Sequence, residues 1–417
     1  MNDLKPFLER ILDLEKPWYI REITLDQESW KIDIYLDFKK GGTFPCPLCE
    51  GENKQRCKAY DTVEKTWRHL NLFQYKAYLH ARVPRVACPE HGTHLVHVPW
   101  AREGSGFTLL FEAFAMSLIK LMPVAAASQI LHEWDTRLWR IAHAYVDKAV
   151  EEQSLSSLTA VGVDETSRRK GHSYITAFVD LHEKGAVFVT PGKDAATLEA
   201  FKDFLETHGG HAENVRDISM DMSPAFIKGA EEHFPEAAIT FDKFHVMKLM
   251  NKALDEVRRQ EQKENSTLKK TRYLWLKNIE NLREDQKAIL RELGGASSNL
   301  KVARAWRIKL ALQDVFTYDS HWAPYFLDKW YWWASHSRLE SIVSLAKTIK
   351  EHRQGILNYS KSRISNGILE GLNSLFKAAA AKARGYRTLR HAITAYYLVA
   401  SRLELGLPLL YGATHTK

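Results

Sequence analysis

The chain has 417 residues, of which 45% are hydrophobic and 26% charged, enough apolar material for two or three packed domains and too much for a disordered protein. Its opening stretch, MNDLKPFLERILDLEK, is interrupted by charges throughout. Its most apolar run, FTLLFEAFAMSLIKLM from 107 to 122, contains Glu112 and Lys120 and falls short of the ~20 residues a bilayer requires, so neither export nor a membrane location is expected. The net charge of +8 favours a polyanionic partner without identifying it.

Along the chain, REITLDQESWKIDIYLDFK (21–39) alternates through Trp30, Ile32, Ile34, Leu36 and Phe38, the period of a half-buried strand, and LFQYKAYLHARVPRVAC (72–88) reads as further strand. Residues 1–103 are therefore expected to form a small β-rich module. All four cysteines, Cys46, Cys49, Cys57 and Cys88, fall within it. Cys46 and Cys49 in CPLC, with Cys88 and His91 in CPEHG, are two copies of one knuckle, Cys-Pro-x-ligand, and supply the four donors of one structural Zn²⁺. A set with Cys57 in place of His91 satisfies the count equally. Basic residues including Arg56, Arg68 and Arg85 alternate with Trp67, Tyr75 and Tyr78, a composition suited to DNA, and Arg68 is a candidate contact.

From 104 to 153 three short helical segments follow closely: FTLLFEAFAMSLIKL, PVAAASQILHEW and DTRLWRIAHAYVDKAV. They fit a helix-turn-helix whose third segment presents Arg137 and Arg140 to DNA; a plain helical linker is the alternative.

The pattern then changes. LTAVGVD, SYITAFVDL and AVFVTP read as strands, with HEKG as the turn joining the last two. A helix from about 194 to 208, the strand VRDISMD, a helix from about 224 to 233 and the strand AAITF follow. Three strands and then helix-strand-helix-strand is the order of an α/β ribonuclease-H-like core. Beyond Phe241 the composition is helical, and six of the twelve tryptophans lie there, which predicts a helical subdomain with an aromatic core.

Two predicted strands end in aspartate, at Asp164 and Asp221, where a rigid backbone can hold carboxylates around shared cations. Asp217 begins the second of these strands, roughly 13 Å away at about 3.3 Å per residue, and is expected to be out of reach. A third acid, Glu370, stands in SRISNGILEGLNSLFKAAAAKARGYR on one helical face with Asn366, Asn373 and Lys377, beside an apolar stripe of Leu369, Leu372 and Phe376. Asn373 and Lys377 are candidate contacts to the DNA backbone. In FDKFHV, Asp242 and His245 are either a helix cap and a surface histidine or residues in the vicinity of an active site.

The paired knuckles, RHL at 68–70, VGVDE, SMDMS, FDKFHV and NGILEGLNSLFK together resemble the ISL-three family of insertion-sequence transposases with a DDE triad, over nearly the whole chain. The resemblance implies that Asp164, Asp221 and Glu370 are catalytic and bind two Mg²⁺ (or Mn²⁺) ions. It also implies that a helical insertion (262–360) divides the core into 154–261 and 361–417. Double-stranded DNA, as terminal inverted repeats and target, is then the partner, with a homodimer or larger assembly on it and no membrane. The expected location is the cytoplasm, on the nucleoid when DNA is bound. Two rivals are a catalytically inactive regulator derived from such an enzyme and a structure-selective, metal-dependent nuclease.

Overall fold

The computed structural model describes residues 4–49, 55–169, 173–295, 298–364, 366–408 and 410. The chain divides into two units, Met1–Tyr145 with Leu405–Lys417, and Val146–Glu404.

The first unit opens with α1 (Leu4–Ile11), followed by β1 (Trp18–Asp26), β2 (Lys31–Phe38), β3 (Thr43–Pro45), β4 (Arg56–Arg68), β5 (Lys76–Cys88) and β6 (Gly92–Leu95). The strands form one sheet in the order β1-β2-β5-β4-β3, with β6 also on β5. The β2–β5 pair is parallel and the other pairs are antiparallel. The single run expected over 21–39 is in fact a hairpin. Asp26 turns it, its carboxylate accepting from the backbone N–H groups of Glu28 and Ser29 at 3.0 and 3.1 Å. Trp30 has φ 52° in that turn and is exposed, while Ile32, Ile34 and Leu36 keep the alternating pattern and are buried. The core stacks Trp18 and Trp67 edge-on against Trp100, with centroids 4.9 and 5.6 Å away.

Three helices follow, α2 (Leu109–Leu121), α3 (Val124–Leu131) and α4 (Asp135–Glu152). Thr108 caps α2 by accepting from Phe111 N, Pro123 precedes α3, and His132 ends α3 in the left-handed region at φ 51°. Glu112, the acid inside the apolar run, is fully buried and receives Arg102 Nε at 3.0 Å, Ser105 Oγ at 2.6 Å and Tyr145 Oη at 3.0 Å. It ties α2 to α4.

In the second unit β7 (Ala160–Arg169), β8 (Ser173–Asp180), β9 (Gly185–Pro191), α5 (Ala196–Thr207), β10 (Asp217–Met220), α6 (Pro224–His233) and β11 (Ala238–Phe241) follow in the expected sequence. The sheet order is β11-β10-β7-β8-β9. β11, β10 and β7 run parallel, and β8 and β9 are antiparallel. The HEKG turn is confirmed: Asp180 accepts from the N–H groups of His182 and Glu183, and Lys184 takes φ 57°.

Then come α7 (Lys243–Glu261), α8 (Arg272–Leu276), α9 (Glu284–Gly294), α10 (Lys301–Val315), α11 (Ala323–Ser335), α12 (Glu340–Glu351), α13 (Arg353–Ser362), α14 (Gly367–Lys382) and α15 (Leu389–Ala400). Trp275 and Trp330 are buried in the helical part, and Trp306 lies 6.3 Å from Trp275. Trp322, Trp332 and Trp333 are exposed, so the expected aromatic core uses half of the six.

Two close approaches seat the last helices on the sheet. A Cβ on Gly162 of β7 would lie 2.3 Å from Leu369 Cδ1, and one on Gly355 of α13 would lie 2.4 Å from the Phe241 ring. Glycine is required for α14 to approach the strand that carries Asp164 this closely.

Candidate metal centre and catalytic carboxylates

In the first unit the two knuckles meet. His91 Nδ1 lies 3.9, 3.5 and 3.6 Å from the sulfurs of Cys46, Cys49 and Cys88, and Cys49 and Cys88 are 3.8 Å apart. A tetrahedral zinc with Zn–S about 2.3 Å and Zn–N about 2.0 Å separates its ligand atoms by roughly 3.5–3.8 Å, so both the donor set and its size fit. Backbone N–H groups of Glu90 and His91 draw the Cys88 thiol down to about 6, toward the thiolate that zinc binds. Cys57, opposite Phe44 on β4, lies outside this quartet.

Arg68 is a correction. It is 2% exposed, and its guanidinium donates to the carbonyls of His69 and Ala77 and to Asn71, sits 3.7 Å from Glu133 and packs over the Tyr78 and Phe111 rings. Committed to these internal partners, it is not available to a phosphate. Arg137 is half spent in the same network, paired with Glu133 and 4.1 Å over Phe107, whereas Arg140 is exposed. Arg140→Ala should therefore keep the parent's melting temperature and flatten the salt dependence of DNA binding by about one counterion. Arg137→Ala should cost about 1–2 kcal/mol of stability by leaving Glu133 underpaired. Thermal melts and salt titrations check both; equal melting temperatures would reject the distinction.

In the second unit the parallel register sets the acids in a row. Ser219 pairs with Gly162, and Asp221 and Asp164 each lie two residues further on. Met220 pairs with Phe241, and Asp242 follows at once, its N–H donating to Met220 O at 3.2 Å. Three adjacent parallel strands thus bring Asp164, Asp221 and Asp242 to one level. Asp164 does not end its strand, as the sequence suggested, because β7 continues to Arg169 paired with β8. Asp217 opens β10 near His182, at the opposite end from Asp221.

Asp164 Oδ1 accepts from Glu165 N at 2.9 Å, and its Oδ2 accepts from Asn373 Nδ2 at 2.8 Å. Tyr396 Oη donates to Asn373 Oδ1 at 2.9 Å. Asn373 is buried, so its expected role as a phosphate contact is also corrected: it orients Asp164, with Tyr396 behind it. The three-residue offset from Glu370 marked its helical face, but only the packing of α14 on β7 names its partner. Lys377 is exposed further along α14.

Burial pushes the Asp164 carboxyl above the usual range; the His245 charge opposes this and the Asp221 charge adds to it. Glu370, one turn before Asn373, is likewise raised, first by desolvation and then by Asp242 and Asp164, with His245 opposing. Asp242 stands at the N-cap of α7 but does not cap it. One of its oxygens accepts from Asn366 N at 3.3 Å and the other lies 3.4 Å from His245 Nδ1. That carboxylate holds the imidazolium above the ordinary histidine range against the effect of burial, and Asp164 and Asp221 reinforce it. His245 is thus linked to the acids electrostatically. Among the described residues, the zinc quartet alone is already drawn together as tightly as a metal cage.

The two units thus pair a Cys/His metal centre and a helical trio with an α/β sheet edged by acids, the outline of a DNA-processing protein. Comparison with known families matches residues 161–396 to a transposase model, 96–146 to the helix-turn-helix domain of transposase family ISL3, and 43–91 to the zinc finger of transposases IS204/IS1001/IS1096/IS1165. The chain belongs to the ISL3 transposase family. It is 29% identical over 377 residues to the transposase for insertion sequence element IS1557 of Mycobacterium tuberculosis, covering 82% of this chain and 83% of that protein. It is 26% identical over 351 residues to the transposase for IS1001 of Bordetella parapertussis, covering 82% and 85%.

Proposed function

We propose that this transposase binds the terminal inverted repeats of its element and cuts and transfers DNA strands at Asp164, Asp221 and Glu370, on a ribonuclease-H-like core. The observation that carries this reading is the row of aspartates on adjacent parallel strands, faced by α14 through the Asn373–Asp164 hydrogen bond. The acids suit hard cations: they offer oxygen donors only, and like charge is concentrated among them, Asp221 raising the half-buried Asp164 and Asp164 raising Glu370. Two Mg²⁺ or Mn²⁺ ions held by Asp164, Asp221 and Glu370 would supply Lewis acidity to the attacking oxygen and the departing 3′-oxygen.

The chain's own residues prepare the site. Asn373 and Tyr396 fix one oxygen of Asp164, the Asx turn from Asp221 to Ser223 N at 3.0 Å fixes Asp221, and Asp242 holds His245 beside both. Water attacks the phosphodiester and the 3′-oxygen leaves as a hydroxyl; the freed 3′-hydroxyl then attacks a phosphodiester of the target, whose own 3′-oxygen leaves as a hydroxyl in turn. Arg140 and Lys377 contact DNA backbone, and the zinc module and helix-turn-helix bind the repeats. The helices of 262–360 interrupt the core between 154–261 and 361–417. Two element ends must be held together, so the working form is at least a homodimer on DNA, in the cytoplasm at the nucleoid.

The test is nicking of a labelled duplex carrying the inverted repeats that flank the reading frame. Asp164→Asn and Asp221→Asn should each stop nicking with end binding intact, while Asp217→Asn should nick as the parent does. Normal nicking by either of the first two would reject the assignment.

A further inference from the structure

A cleft of about 670 Å³ lies against Glu370 in the second unit, and the cleavage chemistry above leaves most of its lining without a role. Its size is that of a small-molecule site, roughly 300–1,000 Å³. One wall is a face of α7, where Lys243, Phe244, Met247, Lys248 and Asn251 recur at helical spacing. The rest of its lining includes Asn278 and Asn281 on the segment after α8, Gln313 of α10 and Tyr359 of α13, together with Asp242 and Glu370.

Four carboxamides around one cleft are an unusual lining. Each offers a donor and an acceptor, the mixture that a nucleobase edge presents. Gln313 Nε2 donates to Asn278 Oδ1 at 2.9 Å, while Asn251 Oδ1 is buried with no hydrogen-bond partner. Buried amide oxygens of this kind ordinarily have a donor, so a ligand N–H would complete it. Phe244 is 55% exposed and offers a stacking face, and Lys248 is an exposed cation one helical turn further.

We propose that this cleft takes one unpaired nucleotide of the DNA strand engaged at the carboxylates, its base read by the amides and stacked on Phe244, its phosphate met by Lys243 and Lys248. The base must be unpaired because within a duplex its Watson–Crick edge is taken by the partner base and both its faces by stacked neighbours. This deepens the reading above and rests on Glu370 belonging to the reaction centre.

The test reads binding alone. Full-length protein carrying Asp164→Asn is titrated, without divalent cation, against the terminal-repeat duplex and against the same duplex with three mismatches at the cleavage position. The mismatched probe should bind about tenfold more tightly, as one stacked base would give. Asn278→Ala with Asn281→Ala, on an exposed segment, should reduce that advantage to about twofold or less and leave the paired duplex unaffected. Lys248→Ala, on the open face of α7, should also lose the advantage. Equal binding of the two probes by the parent, or an advantage that survives in both variants, overturns the proposal. No cleavage is involved, so a failure here is distinct from a failure of the catalytic assignment, which would appear as normal nicking by the acid variants.

Discussion

Glu370→Gln is expected to bind the element's ends as the parent does and to leave them uncut, with nicking in Mg²⁺ slowed about 10³-fold or more. A carboxylate that helps to hold a cation at a developing oxyanion supports several kcal/mol of transition-state stabilisation, and each 1.4 kcal/mol is about tenfold in rate. Glutamine preserves the size of the side chain and nearly its helix propensity. Glu370 is exposed and Leu369 and Phe376 seat the helix, so folding should not change. The assay is single-turnover nicking beside a gel-shift titration. Near-parental nicking would make α14 a surface helix and place the third acid elsewhere. A companion variant tests whether position matters as well as charge. Gly162→Ala puts a methyl where Leu369 now lies, so α14 must shift or Leu369 must leave its rotamer. Overpacking of this kind costs about 1–3 kcal/mol, and nicking should fall with Glu370 itself intact.

The second large effect concerns the knuckles. Cys88→Ser or His91→Ala should release zinc and abolish end binding, and the N-terminal sheet should lose most of its stability. Cys46 lies just beyond β3 and Cys88 at the end of β5, so the ion closes the sheet between loops far apart in sequence. Structural zinc contributes about 10–16 kcal/mol in isolated finger peptides; here the Trp18, Trp67 and Trp100 cluster would retain part of the fold. Cys57→Ser should keep both zinc and binding. Metal content by mass spectrometry and a thermal melt of each variant decide the matter, and zinc loss confined to the Cys57 variant would reverse the ligand assignment.

Local pattern determined much of this protein. The strands between 160 and 241 alternate or run apolar over lengths that only strands use, Pro224 opens the second of the helices between them, and the repeated Cys-Pro-x-ligand spacing states a donor set without needing the fold. Aspartates following apolar runs were likewise visible. What the sequence could not contain was pairing between distant segments. β4 is largely solvated along its length and signals little by itself; it is a strand because β5 lies beside it. The same holds for Asp242, ambiguous as a cap until the β10–β11 register set it level with Asp221. It holds for Asn373, which resembles any polar helix residue until Gly162 lets α14 come close enough to reach Asp164. Arg68 reads as one basic residue among many, and its burial under Tyr78 and Phe111 follows only from how strand and helix pack. Periodicity is a property of neighbours in the chain, whereas a charge's partner and its exposure are properties of neighbours in space, and those were decided by the tertiary structure.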